Sequence, residues 1–174
     1  MGQEPIRIAV VVGNPKRQSR TLGVAVEVAS AVSRGISAPT QQVVVDLAEE
    51  ASHLFDEQSD RLADLGTEVA QSHVVVVASP TFKATYTGIL KAFFDRYGYR
   101  PLEGSVGVPV MTGAANIHAL AVEVHLRPLL VELGATVPAA GLFVTEAELP
   151  DLEAVVGKWA SSGVPLIRRS LDLP

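Results

Sequence analysis

The densest run of chemistry-bearing side chains is Gly13-Asn14-Pro15-Lys16-Arg17-Gln18-Ser19-Arg20-Thr21. Lys16, Arg17 and Arg20 bring positive charge, while Ser19, Thr21 and the amide of Asn14 bring hydrogen-bond donors. Gly13 permits a tight turn at the end of an apolar run, and the residues after Thr21 take up helical periodicity. The segment therefore opens a helix, where unpaired amides and a partial positive charge gather. A phosphate monoester, with a charge near −2, matches that density of donors and cations. The structural alternative is an ordinary capped helix start with solvated cations. Three cations and two hydroxyls within six residues outweigh it. The run is neither G-x-x-x-x-G-K-[ST] nor G-x-G-x-x-G, so a P-loop NTPase and a dinucleotide cradle are both disfavoured. A mononucleotide held by one phosphate fits better than a pyrophosphate.

Two further segments carry compatible chemistry. In Ser79-Pro80-Thr81-Phe82-Lys83-Ala84-Thr85-Tyr86-Thr87-Gly88, Pro80 stiffens a turn and biases Ser79 to extended backbone. The turn's amides can bond the polar edge of a planar ring, and Phe82 offers a flat apolar surface. For Phe82 and Tyr86, packing beneath the next helix is the structural alternative. In Thr112-Gly113-Ala114-Ala115-Asn116, small residues let backbone approach a planar ligand closely.

These segments need a scaffold that brings them together. Short, β-branched apolar runs at Ile6–Val12, Gln42–Leu47, His73–Ser79, Val106–Thr112 and Thr136–Phe143 read as parallel strands buried on both faces. Helical spacing separates them. Leu22, Ala25, Val26, Ala29 and Val32 form one apolar face, residues 60–71 a weaker helix, and Leu90, Phe93 and Phe94 a third. Ile117, Leu120, Ala121 and Val124 form a fourth, and residues 149–161 a closing helix. Gly163-Val164-Pro165 is expected to break that last helix and leave residues 163–174 as a C-terminal extension. The fold class is α/β: a doubly wound five-stranded parallel sheet between two helical layers, in the flavodoxin-like order 2-1-3-4-5. In that order the three chemical segments leave the carboxyl ends of strands 1, 3 and 4 and form one site.

Composition bounds the rest. A chain of 174 residues, 48% hydrophobic and 19% charged, suits a single globular domain over residues 1–174. No cysteine is present, which removes disulfide and thiolate chemistry and suits a reducing cytoplasm. His53, His73, His118 and His125 lack metal-ligand spacing, so no metal site is expected. A net charge of −5 argues against nucleic acid. No run reaches the roughly 20 apolar residues of a membrane helix, and the N-terminus has no signal-peptide pattern. Asp46, Glu49 and Glu50 read as a solvated acidic loop.

Together the three segments resemble the NADPH-dependent FMN reductase family, in its sulfonate-utilisation branch of two-component flavin reductases. Residues 13–21 follow that family's phosphate-loop form G-S-P-R-x-x-S-R-[ST], and Pro80 to Lys91 follow P-x-[YF]-K-x-x-Y-[ST]-G-x-L-K without a break. The segments from Thr112 to His118 and from Gly141 to Val144 look like the same branch. Asn14 stands for the usual serine and Lys16 for the usual arginine, and a lysine is a point charge where arginine is a fork. The resemblance implies FMN as cofactor and NADPH or NADH as electron donor. It implies that Asn14, Lys16, Arg17, Ser19, Arg20 and Thr21 hold the phosphate. Pro80, Thr81, Phe82, Lys83 and Tyr86 would line the flavin, with Thr112, Gly113, Ala114, Asn116 and His118 closing the site. No catalytic acid, base or nucleophile is implied, because hydride transfer is the cofactors' own chemistry. It further implies a homodimer or homotetramer that delivers reduced flavin to a separate monooxygenase.

Pro128 falls inside a helical pattern, where it cannot donate to the carbonyl of Val124, so a kink or π-bulge is expected there. In this branch the fourth helix carries a bulge at the subunit interface, which would place His125 where it affects flavin exchange. The competing readings are a quinone, azo or chromate reductase with tightly bound FMN, a flavodoxin-like electron carrier, and a regulatory module on the same fold. A basic phosphate loop and 5% aromatic content speak against the carrier.

Overall fold

The computed structural model describes residues 4–56 and 58–173. Five strands, β1 (Ile6–Val12), β2 (Thr40–Asp46), β3 (Val74–Pro80), β4 (Val106–Gly113) and β5 (Leu142–Thr145), form one parallel sheet in the order β2-β1-β3-β4-β5. The pleat divides the core in two. Ile8, Val10 and Val12 of β1 with Val74, Val76 and Ala78 of β3 pack on the side of α1 (Arg20–Gly35) and α5 (Leu152–Ser170). Their alternates Ala9, Val11, Val75 and Val77 pack beneath α2 (Asp60–Ala70), α3 (Gly88–Phe94) and α4 (Arg127–Glu132). All these strand residues are fully buried, which is why the runs lack polar alternation.

Three elements depart from the sequence reading. The fifth strand occupies Leu142–Thr145, not Thr136–Phe143, because the backbone before it bonds to side chains instead of a ladder. Arg127 donates to the carbonyls of Val137 (2.7 Å) and Ala139 (2.6 Å), and Glu123 Oε1 accepts the N–H of Gly141 at 2.6 Å. Thr136 makes only an isolated bridge to Val106.

The last helix runs through Gly163-Val164-Pro165 to Ser170, so residues from Gly163 onward are its second half and not an extension. Val164 and Ile167 are buried there, and Val164 sits where a side chain on Gly35 of α1 would stand. Pro165 and Ser161 are both solvent-exposed, so the helical bond lost at Pro165 falls on the wet face.

The fourth crossover is not one regular helix. It comprises a 3₁₀ turn (Asn116–His118), a π-helical turn (Val122–Leu126) and α4. Arg127 N–H reaches the carbonyl of Val122, five residues back, one position before Pro128, which has no N–H to give. The core is filled by Ala121, Val122, Leu126 and Leu130. Ile117, Leu120 and Val124, expected on the buried face, are instead 85%, 73% and 56% exposed.

Candidate functional site

At the carboxyl end of β1 the first loop is fixed before it meets any ligand. Gly13 N–H donates to Ala78 O of β3 at 2.8 Å. A Cβ on Gly13 would stand 2.5 Å from Leu90 Cβ, so only glycine lets the loop settle on α3. Asn14 Oδ1 accepts from Lys16 N–H (2.9 Å), an Asx turn, and Asn14 Nδ2 donates to Thr21 Oγ1 (3.1 Å). Thr21 Oγ1 also shares a 2.9 Å hydrogen bond with Thr112 Oγ1, which ties the loop after β1 to the end of β4. Gln18 takes the left-handed conformation (φ 49°) and its N–H lies 3.4 Å from Asp46 Oδ2. Ser19 caps α1 by accepting from Leu22 N–H at 3.2 Å. The first turn of α1 carries no acid, and its opening amides have no partner within the helix.

The loop after β3 is fixed from both sides. Thr81 N–H donates to Thr112 O (2.7 Å), Ser79 Oγ accepts from Thr87 N–H (3.0 Å), and Thr87 Oγ1 donates to Gly13 O. Phe82 and Thr85 pair across a two-residue turn whose central residues, Lys83 (φ 52°) and Ala84 (φ 67°), are both left-handed. Two adjacent non-glycine residues in that region store backbone strain, a pattern that clusters at ligand-contacting segments. The Phe82 ring stands about half exposed, and the hydroxyl of Thr81 is buried with no partner.

These loops enclose a cavity of about 460 Å³. Of the residues read from sequence, Asn14, Lys16, Ser19, Arg20, Thr21, Pro80, Thr81, Phe82, Thr112 and Gly113 line it. Arg17, Lys83, Tyr86, Ala114, Asn116 and His118 are not in its wall. Tyr86 is half-buried against the core beneath α2 and α3, whereas Ala114, Asn116 and His118 are exposed beyond β4. His125 lies in the π-helical turn, also exposed.

Sequence reasoning missed the far wall, formed by Val144, Thr145, Glu146 and Leu149 at the end of β5. Its register sets Thr145 beside Gly113. Glu148 closes a capping box, its Oε2 accepting from Thr145 N–H (2.8 Å) and Oγ1 (2.7 Å). The Thr145 hydroxyl and then its N–H hold that carboxyl below its usual range. Glu146 turns the other way, its Oε1 accepting from Arg20 Nη2 at 2.8 Å. Placing the fifth strand two residues further on would have exposed this wall as a strand-end loop.

Other expectations resolve nearby. Glu50 is not solvated: it is buried at 3% exposure, with Arg61 Nε donating to both its oxygens at 2.7 Å. Asp46 braces the backbone of the loop after β1, and His73 Nδ1 accepts from Arg7 N–H at 3.0 Å, a structural role. A larger cavity of about 590 Å³ lies between α2 and the end of α3 and shares no residue with the strand-end loops. No described helix is long and apolar enough to cross a membrane.

Comparison with known proteins bears on family and fold. The sequence model of a family described as NADPH-dependent FMN reductase matches residues 6–148. The chain is 32% identical to the FMN reductase (NADPH) of Pseudomonas putida KT2440, over 79% of this chain and 70% of that protein. It is 31% identical to the NADH-dependent FMN reductase SfnF of Pseudomonas putida, over 83% and 80%. Against the FMN reductase (NADPH) of Escherichia coli K12, identity is 34%, but the match spans 53% of this chain and about half (49%) of that protein. Among solved structures, an oxidoreductase from Corynebacterium diphtheriae superposes with a TM-score of 0.85 at 24% identity, covering 96% of this chain and 99% of that one, which bears on the fold.

Proposed function

This chain belongs to the NADPH-dependent FMN reductase family, and from that premise we propose that it transfers hydride from NADPH or NADH to FMN held at the ends of β1, β3, β4 and β5. The observation that carries the proposal is the convergence of a basic, acid-free helix start and a strained, aromatic-bearing turn on one cavity. The cavity fits the group. Lys16, Arg20 and the opening amides of α1 suit a phosphate monoester, and the orphaned Thr81 hydroxyl is a buried polar atom without a partner. Small residues Thr112 and Gly113 leave room for a flat ring.

When bound, FMN supplies the hydride-accepting chemistry. The chain's share is to bind, orient and dry the site. Lys16, Ser19, Arg20 and Thr21 anchor the phosphate, and Pro80, Thr81 and Phe82 present backbone and ring to the flavin. Arg17, Lys83 and Tyr86, together with Ala114, Asn116 and His118, stand outside the cavity wall. The whole site works without a protein acid or base, so the rate is set by geometry and by exchange of flavin.

Assembly completes this reading. Ile117, Leu120 and Val124 leave an apolar surface on the segment beside the flavin loops, which supports a homodimer or homotetramer joined there. His125, in the π-helical turn among them, then influences flavin exchange. Reduced flavin passes to a partner monooxygenase, in the cytoplasm. The test is direct: purified protein should quench the fluorescence of FMN saturably and oxidise NADPH or NADH only when flavin is present. Oxidation without any flavin would overturn the proposal.

A further inference from the structure

Arg20, at the start of α1, and Glu146, just after β5, both line the cavity; they are 126 residues apart in sequence and meet at 2.8 Å. Arg20 is the cation that the proposed function assigns to the phosphate, yet its Nη2 is already committed to a carboxylate. Both side chains remain more than half exposed, at 65% and 51%, so each can move. Glu146 is also the one wall residue carrying negative charge in a cavity whose other charged wall residues are Lys16 and Arg20. Its position is fixed from behind. Thr145 sits in register with Gly113, and the Glu148 capping box holds the backbone turn that presents Glu146 to Arg20.

We propose that Glu146 is an affinity-setting residue that occupies Arg20 in place of the ligand's phosphate and so limits how tightly FMN is held. Two effects act in the same direction. To use its full fork on phosphate, Arg20 must loosen a charge-assisted hydrogen bond. If it keeps that bond, a carboxylate remains beside the phosphate dianion, and its repulsion offsets part of the cation's attraction. Removing the charge therefore tightens binding either way. A flavin reductase that hands its product on benefits, because a phosphate gripped by an unopposed arginine leaves slowly. The inference rests on the proposed function above, and it concerns the phosphate alone, not the ring.

The test compares FMN with riboflavin, which has the ring but no phosphate, by flavin fluorescence titration of the native protein and E146Q. Glutamine keeps an oxygen that can accept from Arg20 while removing the charge, so the guanidinium stays placed. The expected result is that E146Q binds FMN about three- to tenfold more tightly. Riboflavin affinity should stay the same, and the FMN affinity should fall more steeply with added salt than in the native protein. FMN binding by E146Q equal to or weaker than native would overturn the inference while leaving the flavin site standing. An equal gain for FMN and riboflavin would also overturn it, since the effect would not run through phosphate. Absence of FMN binding by the native protein would bring down the proposed function, and this inference with it. E146A serves as a second variant should E146Q misfold, with the same expected FMN-over-riboflavin gain.

Discussion

Replacing Arg20 by glutamine should weaken FMN binding about tenfold and leave riboflavin binding unchanged, because one charge-assisted bond to phosphate is removed and the ring contacts are not. Fluorescence titration of both flavins checks it, and equal losses for both would contradict a phosphate role. Gly13→Ala tests the packing beneath the same loop. The added Cβ meets Leu90 Cβ at 2.5 Å, close to the backbone of α3, so the expected outcome is a loss of about 1–3 kcal/mol in urea unfolding. The residues of this loop stood out in sequence because cations and hydroxyls cluster where a strand hands over to a helix, and several of them do line the cavity. Their division of labour was not. Asn14, read as a phosphate donor, lines the cavity and also gives its oxygen to Lys16 N–H and one amide N–H to Thr21, a bracing role that only the folded loop reveals.

At the scale of elements, the crossover after β4 is where local pattern and fold part company. Pro128 predicts an irregular helix, and the π-helical turn at Val122–Leu126 is that irregularity. The segment is broken into a 3₁₀ turn holding Ile117 and a π-helical turn holding Val124, so no single regular helix carries Ile117, Leu120 and Val124 to the sheet, and all three stand outside although their spacing is helical. The fifth strand escaped the sequence for a related reason: Glu123 and Arg127 of this crossover capture the backbone of residues 137–141, a long-range bond pattern with no local signature. Glu123 is central to that clamp. The Arg127 hydrogen bond, assisted by the Gly141 N–H, holds its carboxyl below the ordinary range. A folded-state value below the unfolded one contributes stability that is present above the unfolded value and lost as pH falls through the folded one. Glu123→Gln should therefore lower Tm at neutral pH, and the gap to native should narrow as pH drops below the ordinary glutamate range. A gap that stays constant with pH would contradict the clamp's ionic character.

On the whole-molecule scale, order β2-β1-β3-β4-β5 gathers the strand ends that line the cavity; strands alternating with helices point to a doubly wound sheet, and the order itself was expected by likeness to the flavodoxin-like arrangement. Leu120→Asp combined with Val124→Asp should turn the proposed homo-oligomer into a monomer in analytical ultracentrifugation without lowering helix content. An unchanged sedimentation coefficient would remove that surface from the interface. The central claim is that flavin is a substrate of this enzyme and not a fixed prosthetic group. Steady-state oxidation of NADPH and of NADH by the flavin-stripped protein, over a range of added FMN, tests it most directly. The expected result is a rate that rises from near zero and saturates with free FMN. Full activity from flavin that stays bound through gel filtration, indifferent to added FMN and driven by a quinone instead, would contradict it.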